Sequence, residues 1–255
     1  MNNLEFPNAM AQRLVDGLMG GYKDYIAERK QKQQELKVSS AFAWTRGNFI
    51  DSQISKALDV DPTIEDRHDK AGYAWEYIQF IQEQNNERAL IIVKNARQLK
   101  RNFNGISAPV DEKNYLYQLA GINNPLLTAG QLTGQPTDRV VQLELALPEI
   151  TSTLNQLADQ QQSEFSRFYI VTYEVDTVSK MITRIDLTMP NQAKMNLTQI
   201  QNLTPFIETS QLTITSEELD PIKSEQIPDA AYEQNTLFGY EISTGTKKAK
   251  EAGAE

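Results

Sequence analysis

The hydrophobic pattern is most strand-like between residues 73 and 96, where two β-prone runs flank a pair of asparagines. The second run, residues 89–93, is apolar without alternation, which is typical of a strand that is covered on both faces. Asn85 and Asn86 suit a two-residue turn, because asparagine tolerates the positive φ that such turns require. The pattern therefore predicts a β-hairpin whose second strand lies inside a sheet and forms the core of the fold.

The position of the turn also predicts which residues of the hairpin face each other. With the asparagine pair at its tip, Tyr77 lies opposite Lys94 and Glu83 lies opposite Arg88. Burial is expected to be greatest at residues 90–93.

Helical spacing of apolar residues dominates the chain before the hairpin. It predicts a helix over residues 8–19 that the Gly20–Gly21 pair weakens or ends, because glycine disfavours helix interiors. A second, more polar helix is expected over residues 23–36 and a third over residues 49–58. The charged stretch 59–70 is predicted to be a loop.

Alternating and turn-forming segments follow the hairpin. Strands are predicted over residues 139–147, 167–175 and 181–189, and the last two form a second hairpin with one wet face. Residues 121–138 contain enough glycine and proline for a long loop, and a short helix is expected over residues 197–203.

Together these elements predict an α+β fold, in which an N-terminal helical section precedes a mixed, mainly antiparallel sheet built on two β-hairpins with intervening helices. The chain has 255 residues, 40% of them hydrophobic, which is enough for one large domain. We place that domain at residues 1–243, with any sub-boundary in the loop 121–138. Residues 244–255 have almost no apolar surface to bury and are predicted to be a disordered tail.

Cysteine is absent from the chain, which excludes disulfides, thiolate metal sites and cysteine nucleophiles. The N-terminus lacks the basic start and apolar stretch of a signal peptide, and no segment approaches the roughly 18–20 apolar residues that span a bilayer. The composition therefore favours a cytoplasmic protein without membrane contact.

The net charge of −9 is distributed unevenly along the chain. Residues 1–105 carry 15 basic and 14 acidic side chains, whereas residues 106–255 carry 10 basic and 20 acidic ones. Affinity for nucleic acid comes largely from neutralised phosphates, so a nucleic-acid ligand should meet the first half of the chain.

A basic segment, residues 94–105, is the strongest candidate for a binding surface, because its cations alternate with asparagines and a phenylalanine. Cations hold phosphates, while asparagine reads base edges and an aromatic ring stacks on an unpaired base. The candidate binding residues are Lys94, Arg97, Lys100 and Arg101, with Arg46 as a smaller extension. The alternative interpretation is a solvated turn after a buried strand.

A metal-dependent phosphodiester hydrolase is the competing hypothesis, since such enzymes place acids and a lysine on neighbouring strands. Glu76 and Lys94 lie on the two strands of the hairpin, and His68 is the single histidine that could act as a base. The predicted register points Glu76 and Lys94 to opposite faces, and the acid of an acid-x-lysine spacing is replaced by Ile92.

The known phosphate-loop, dinucleotide and serine-hydrolase motifs do not occur in the chain. The sequence favours a non-enzymatic binding or accessory protein without cofactor or metal, whose partner is either a protein or a nucleic acid. The metal-dependent hydrolase remains the alternative, and the oligomeric state stays open.

Overall fold

The computed structural model describes residues 4–71, 75–100, 115–132, 135–140, 164–194 and 196–223, and these ranges hold a seven-stranded sheet. The strands are β1 (Ile64–Ala71), β2 (Trp75–Gln84), β3 (Glu87–Asn95), β4 (Gln135–Val140), β5 (Arg167–Val175), β6 (Ile182–Asn191) and β7 (Asn196–Asn202).

Two helices of appreciable length precede the sheet, and shorter ones connect and follow its strands. The helices are α1 (Asn8–Glu35), α2 (Arg46–Leu58), α3 (Ala96–Lys100), α4 (Tyr115–Ala120), α5 (Asn124–Thr128), α6 (Pro205–Glu208) and α7 (Asp220–Lys223), with 3₁₀ turns at Ser40–Thr45 and Gly121–Asn123. None of the described helices is both long and apolar enough to cross a membrane.

The strands follow the order β1-β2-β3-β5-β6-β7-β4 across the sheet. Described neighbours pair antiparallel, except that β3 and β5 run parallel from Ala89↔Arg167 to Asn95↔Tyr173. The predicted fold class, a helical section followed by a mixed and mainly antiparallel sheet, is confirmed.

The first hairpin has the predicted turn and register. Asn85 and Asn86 adopt positive φ angles of 54° and 63°, as a two-residue turn with matching twist requires. Glu83 pairs with Arg88 across the strands, as predicted. The second hairpin, β5 with β6, also forms where the sequence indicates it.

Strand β3 is buried on both faces, as its uninterrupted apolar run predicts. Leu90, Ile91 and Ile92 have no exposed surface, and Val93 is 7% exposed. Ile91 and Val93 belong to the hydrophobic cluster that contains α1 and α2, whereas Leu90 and Ile92 pack with the side chains of α3 and α4. The core therefore consists of two layers separated by this strand.

The prediction that Gly20–Gly21 ends a helix is wrong, because α1 runs without a break from Asn8 to Glu35. A Cβ atom on Gly17 would lie 2.6 Å from the Cα of Ile54, and one on Gly21 would lie 2.5 Å from the carbonyl oxygen of Phe49. These two glycines let α1 and α2 approach closely, and that packing offsets the low helix propensity of glycine.

The predicted loop at residues 59–70 is also wrong, since β1 begins at Ile64 and forms one outer strand of the sheet. Its charged side chains are compatible with a strand because an edge strand is only partly covered. Residues 197–203, predicted as a helix, form most of β7, which pairs with β6. Pairing with β6 on one side and β4 on the other overrides the helical pattern there.

The predicted loop at residues 121–138 is more structured than expected, because it contains a 3₁₀ turn, α5 and the start of β4. Of the predicted strand at residues 139–147, the first two positions lie in β4 and the others lie outside the described residues. The tail predicted for residues 244–255 also lies outside them.

Candidate functional site

Polar side chains gather at the carboxyl ends of β3 and β5, which form the parallel pair of the described sheet. In open sheets with parallel strands, ligands bind outside the carboxyl ends of those strands, at the topological switch point where the strand order reverses. A functional site is therefore expected at this edge.

The sheet divides at this edge, between β2 and β3. Their pairing ends at Phe80↔Ile91, although β2 begins at Trp75 and β3 continues to Asn95. We call the resulting gap the fork and define it by residues 75–79 of β2 and residues 92–95 of β3.

A carboxylate occupies the base of the fork. In an antiparallel ladder with this turn, Ile78 and Val93 would be the next hydrogen-bonded pair. Instead, the backbone N–H of Ile78 donates to Oδ2 of Asp51 on α2, at 3.3 Å. Asp51 thus stands in for a strand partner and helps to keep β2 and β3 apart.

Lys94 provides a cation on the other side of the fork. Its Nζ lies 4.7 Å from the ring centroid of Tyr77 and 5.9 Å from that of Tyr115, and the two rings lie 5.5 Å apart. An ammonium over aromatic faces is attracted by their negative potential. Within the described part of the chain, no carboxylate lies within ion-pairing distance of Lys94.

The ionisation of these two groups is shifted by their surroundings. Burial raises the pKa of Asp51 to about 6, against the opposing effects of Lys94 and of the Ile78 N–H. Burial acts to lower the pKa of Lys94, but the neighbouring Tyr115 and Asp51 outweigh it, so the pKa of Lys94 is raised. At neutral pH the fork therefore holds a protonated lysine and a carboxylate that is easily neutralised.

A second cation lies on the α2 side of the sheet. The guanidinium carbon of Arg46 is 6.0 Å from the ring centroid of Tyr173, and both side chains are buried. Asn95, which pairs with Tyr173 in the ladder, is buried beside them. Burial raises the pKa of Tyr173, so its hydroxyl stays protonated at neutral pH.

The polar character continues along the opposite face of the sheet, in register with Lys94. Thr172 and then Asp186 are its successive neighbours on β5 and β6. The carboxylate of Asp186 accepts hydrogen bonds from Nε of Arg184 at 2.5 Å and from Nε2 of Gln199 at 2.9 Å. These hydrogen bonds satisfy its carboxylate, so this row is better suited to support the site than to bind a ligand.

Of the predicted binding residues, the structure brings Lys94 and Arg46 to the two sides of the sheet at this edge. Arg97 follows directly in α3, where its N–H donates to Oδ1 of Asn95 at 2.9 Å. Lys100 is the last residue of α3, and Arg101 lies outside the described residues. The basic segment thus continues from the fork.

The residues of the hydrolase hypothesis are not brought together. Glu76 is largely exposed and forms an ion pair with Lys70 on β1, at 3.5 Å. Strand alternation places it on the opposite face of β2 from Tyr77, which contacts Lys94. His68 is exposed on β1, opposite Ile78. The described residues contain no group of three histidine, cysteine or acidic side chains able to hold a metal.

Sequence reasoning missed Asp51, Tyr115 and Tyr173. A signal for Asp51 was available, because it occupies the same helical stripe as Ile54 and Leu58, which are buried. An acid within the apolar stripe of a helix indicates either a buried partner or a functional group.

Comparison of the chain with family models, curated proteins and solved structures gave no match. What the protein does is therefore inferred from the fork and its surroundings alone.

Replacing Asp51 with asparagine is expected to stabilise the protein at neutral pH. The folded-state pKa of about 6 exceeds the ordinary 3.8, so the contribution of this group to stability is full below pH 3.8 and is lost as pH rises through 6. That loss is at most about 3 kcal/mol, and asparagine escapes it while still accepting the Ile78 N–H. Some of the gain is offset because Lys94 loses its nearby negative charge.

Urea unfolding at pH 4 and at pH 7.5 measures this effect. We expect the Asp51→Asn variant to gain on the order of 1–3 kcal/mol over the wild-type protein at pH 7.5 and almost nothing at pH 4. Asp59→Asn, at the exposed end of α2, is the matched control and should show no such difference. Equal changes at both pH values for Asp51→Asn would show that the carboxyl is not buried as described.

Proposed function

We propose that the protein is a non-enzymatic nucleic-acid-binding protein, and that the fork with the basic segment behind it is its binding surface. The observation that carries this proposal is the ammonium of Lys94, which stays protonated beside the adjacent rings of Tyr77 and Tyr115 at the open end of a divided sheet. The ammonium stays charged and has no ion-pair partner among the described residues, so a ligand that supplies an anion can form a charge-assisted hydrogen bond with it.

The chemistry of the surface suits a single strand better than a duplex. Lys94 and Arg97 provide cations for neighbouring phosphates, whereas Arg46 is buried on the other side of the sheet. Tyr115 is an aromatic side chain that is only partly buried. Proteins that bind single strands combine a basic groove with rings on which bases stack. A duplex keeps its bases paired and stacked on each other, so they are not available to stack on the ring of Tyr115.

The distribution of charge along the chain also favours this surface as the binding site. The acidic second half of the chain, with 20 acidic and 10 basic side chains, repels a polyanion, whereas the first half is nearly neutral. A nucleic acid is therefore directed towards the cations that follow β3.

Removing the cations that follow Lys94 is expected to weaken binding and to reduce its salt dependence. Each lost phosphate contact lowers the logarithmic salt slope by about 0.7 on a single strand and about 0.9 on a duplex. The triple variant Arg97→Ala, Lys100→Ala and Arg101→Ala should therefore bind a single strand about 100-fold more weakly at about 0.1 M salt. Fluorescence anisotropy with labelled DNA and RNA at about 50–200 mM salt measures both quantities.

The matched control removes the same charge elsewhere. Arg13 and Lys56 lie on α1 and α2, and Lys194 lies in the turn after β6, at the opposite edge of the sheet from the fork. Their triple alanine variant should keep the wild-type affinity and slope. Equal losses in both triple variants would indicate a diffuse charge effect. Absence of binding at about 50 mM salt would leave a protein partner as the leading candidate.

A further inference from the structure

Lys94 and Asp51 approach the fork from different elements, one from β3 and the other from α2. Asp51 is tied to the backbone of β2 through the N–H of Ile78, and it lies close enough to influence the ionisation of Lys94. The two are not in ion-pairing contact, since no bond between them is found among the described residues. The carboxylate of Asp51 therefore neutralises the Lys94 ammonium only partly and without direct contact.

A phosphate placed against Lys94 would add a second anion to this desolvated space. Two anions that share one cation repel each other, and the repulsion is strongest where water is excluded. The carboxyl is the member of the pair that can lose its charge, because a phosphodiester remains ionised throughout the interval from pH 5.5 to pH 7.5.

We propose, resting on the function proposed above, that a phosphate of the bound strand replaces Asp51 as the counter-ion of Lys94 and that Asp51 takes up a proton as the strand binds. No covalent bond forms or breaks, and the proton comes from the solvent. Binding of nucleic acid is thereby coupled to pH through one side chain at the base of the fork.

The size of the coupling follows from the ionisation of Asp51. With a pKa of about 6 in the free protein, the carboxyl is mostly protonated at pH 5.5 and only a few per cent protonated at pH 7.5. If the bound state requires the protonated form, the affinity falls about 25-fold across that interval. Near pH 7, close to one proton is taken up for each strand bound.

The other charged and titratable groups near Asp51 lie on several elements. Lys94 on β3 and Tyr173 on β5 interact with it electrostatically, and Arg46 on α2 lies beside Tyr173. His68 on β1 pairs with Ile78, whose N–H binds Asp51, and Glu76 lies two residues before Ile78 on β2. Histidine is the residue type among them that ordinarily titrates between pH 5 and 8. His68 is therefore the group whose contribution has to be removed by a control.

Isothermal titration calorimetry with a thymidine oligonucleotide that carries hydroxyl groups at both ends tests the proposal, because such a strand has no phosphate monoester that titrates in this range. Measurements at pH 7 in two buffers with different heats of ionisation give the number of protons taken up. We expect nearly one proton for the wild-type protein and for His68→Gln, and none for Asp51→Asn.

The affinities supply a second readout. Asp51→Asn keeps the shape of the carboxyl and should bind equally well from pH 5.5 to pH 7.5, about 30-fold more tightly than the wild-type protein at pH 7.5. Lys94→Met should lose most of the affinity at every pH. Strand binding by the wild-type protein without proton uptake, or an unchanged pH profile in Asp51→Asn, overturns this inference alone. Failure to bind the strand at any pH from 5.5 to 7.5 overturns the proposed function with it.

Discussion

Replacing Gly21 with alanine is expected to destabilise the protein by at least about 3 kcal/mol, the upper part of the usual range for overpacked sites. The new Cβ would collide with backbone atoms of α2, the Cα of Ile50 and the carbonyl oxygen of Phe49. A side chain could rotate away from the new atom, but the backbone of a helix cannot. The two helices α1 and α2 would therefore have to separate and expose the apolar side chains between them. Thermal and urea unfolding measure the loss.

Two other glycines provide controls with the same chemical change. A Cβ on Gly20 would meet only the side-chain tip of Leu212, at 3.3 Å, and a Cβ on Gly47 would meet nothing within 4 Å. Both lie within helices, where alanine is preferred over glycine by about 0.5–1 kcal/mol. Gly47→Ala should therefore be neutral or stabilising. If Gly21→Ala were as well tolerated as Gly47→Ala, the close approach of α1 and α2 would be wrong.

Truncating Ile91 or Ile92 to alanine is expected to cost on the order of 2–5 kcal/mol each. Both are without exposed surface and point to opposite faces of β3, so each leaves a cavity in a different layer of the core. For a protein of this size the melting temperature should fall by roughly 4–20 °C.

Val178, in the exposed turn between β5 and β6, is the matched control. Its replacement by alanine removes a similar amount of apolar side chain from solvent and should change the free energy of unfolding by less than about 0.5 kcal/mol. A melting temperature within a degree or two of wild type for both isoleucine variants would mean that β3 is not the centre of the core.

The hairpin could be predicted from the sequence because its determinants are local. The turn conformation depends on Asn85 and Asn86 themselves, and the apolar run of β3 needs burial wherever the strand is placed. The glycine pair in α1 misled the prediction for the opposite reason. Whether Gly21 ends a helix or packs against another one depends on residues near position 50, which a local pattern does not include.

The fork shows where prediction from the sequence stops. Charge identified Lys94 and Arg46, and the register of the hairpin correctly placed the ring of Tyr77 next to Lys94. The same register assumes that the ladder continues to that point, whereas it ends at Phe80↔Ile91. The opening depends on Asp51, an acid from a preceding helix, and on the parallel pairing of β3 with a strand that begins at residue 167.

The charges of β1 have a consequence for how copies of this protein behave at high concentration. The outer edge of any sheet presents backbone donors and acceptors that another chain can pair with, and this is a route to aggregation. In β1, residues 65–70 are all charged or histidine, with both signs present, so an approaching copy would have to remove many charges from water. The feature that makes this strand resemble a loop in the sequence is thus a barrier to edge-to-edge association and favours a protein that stays dispersed.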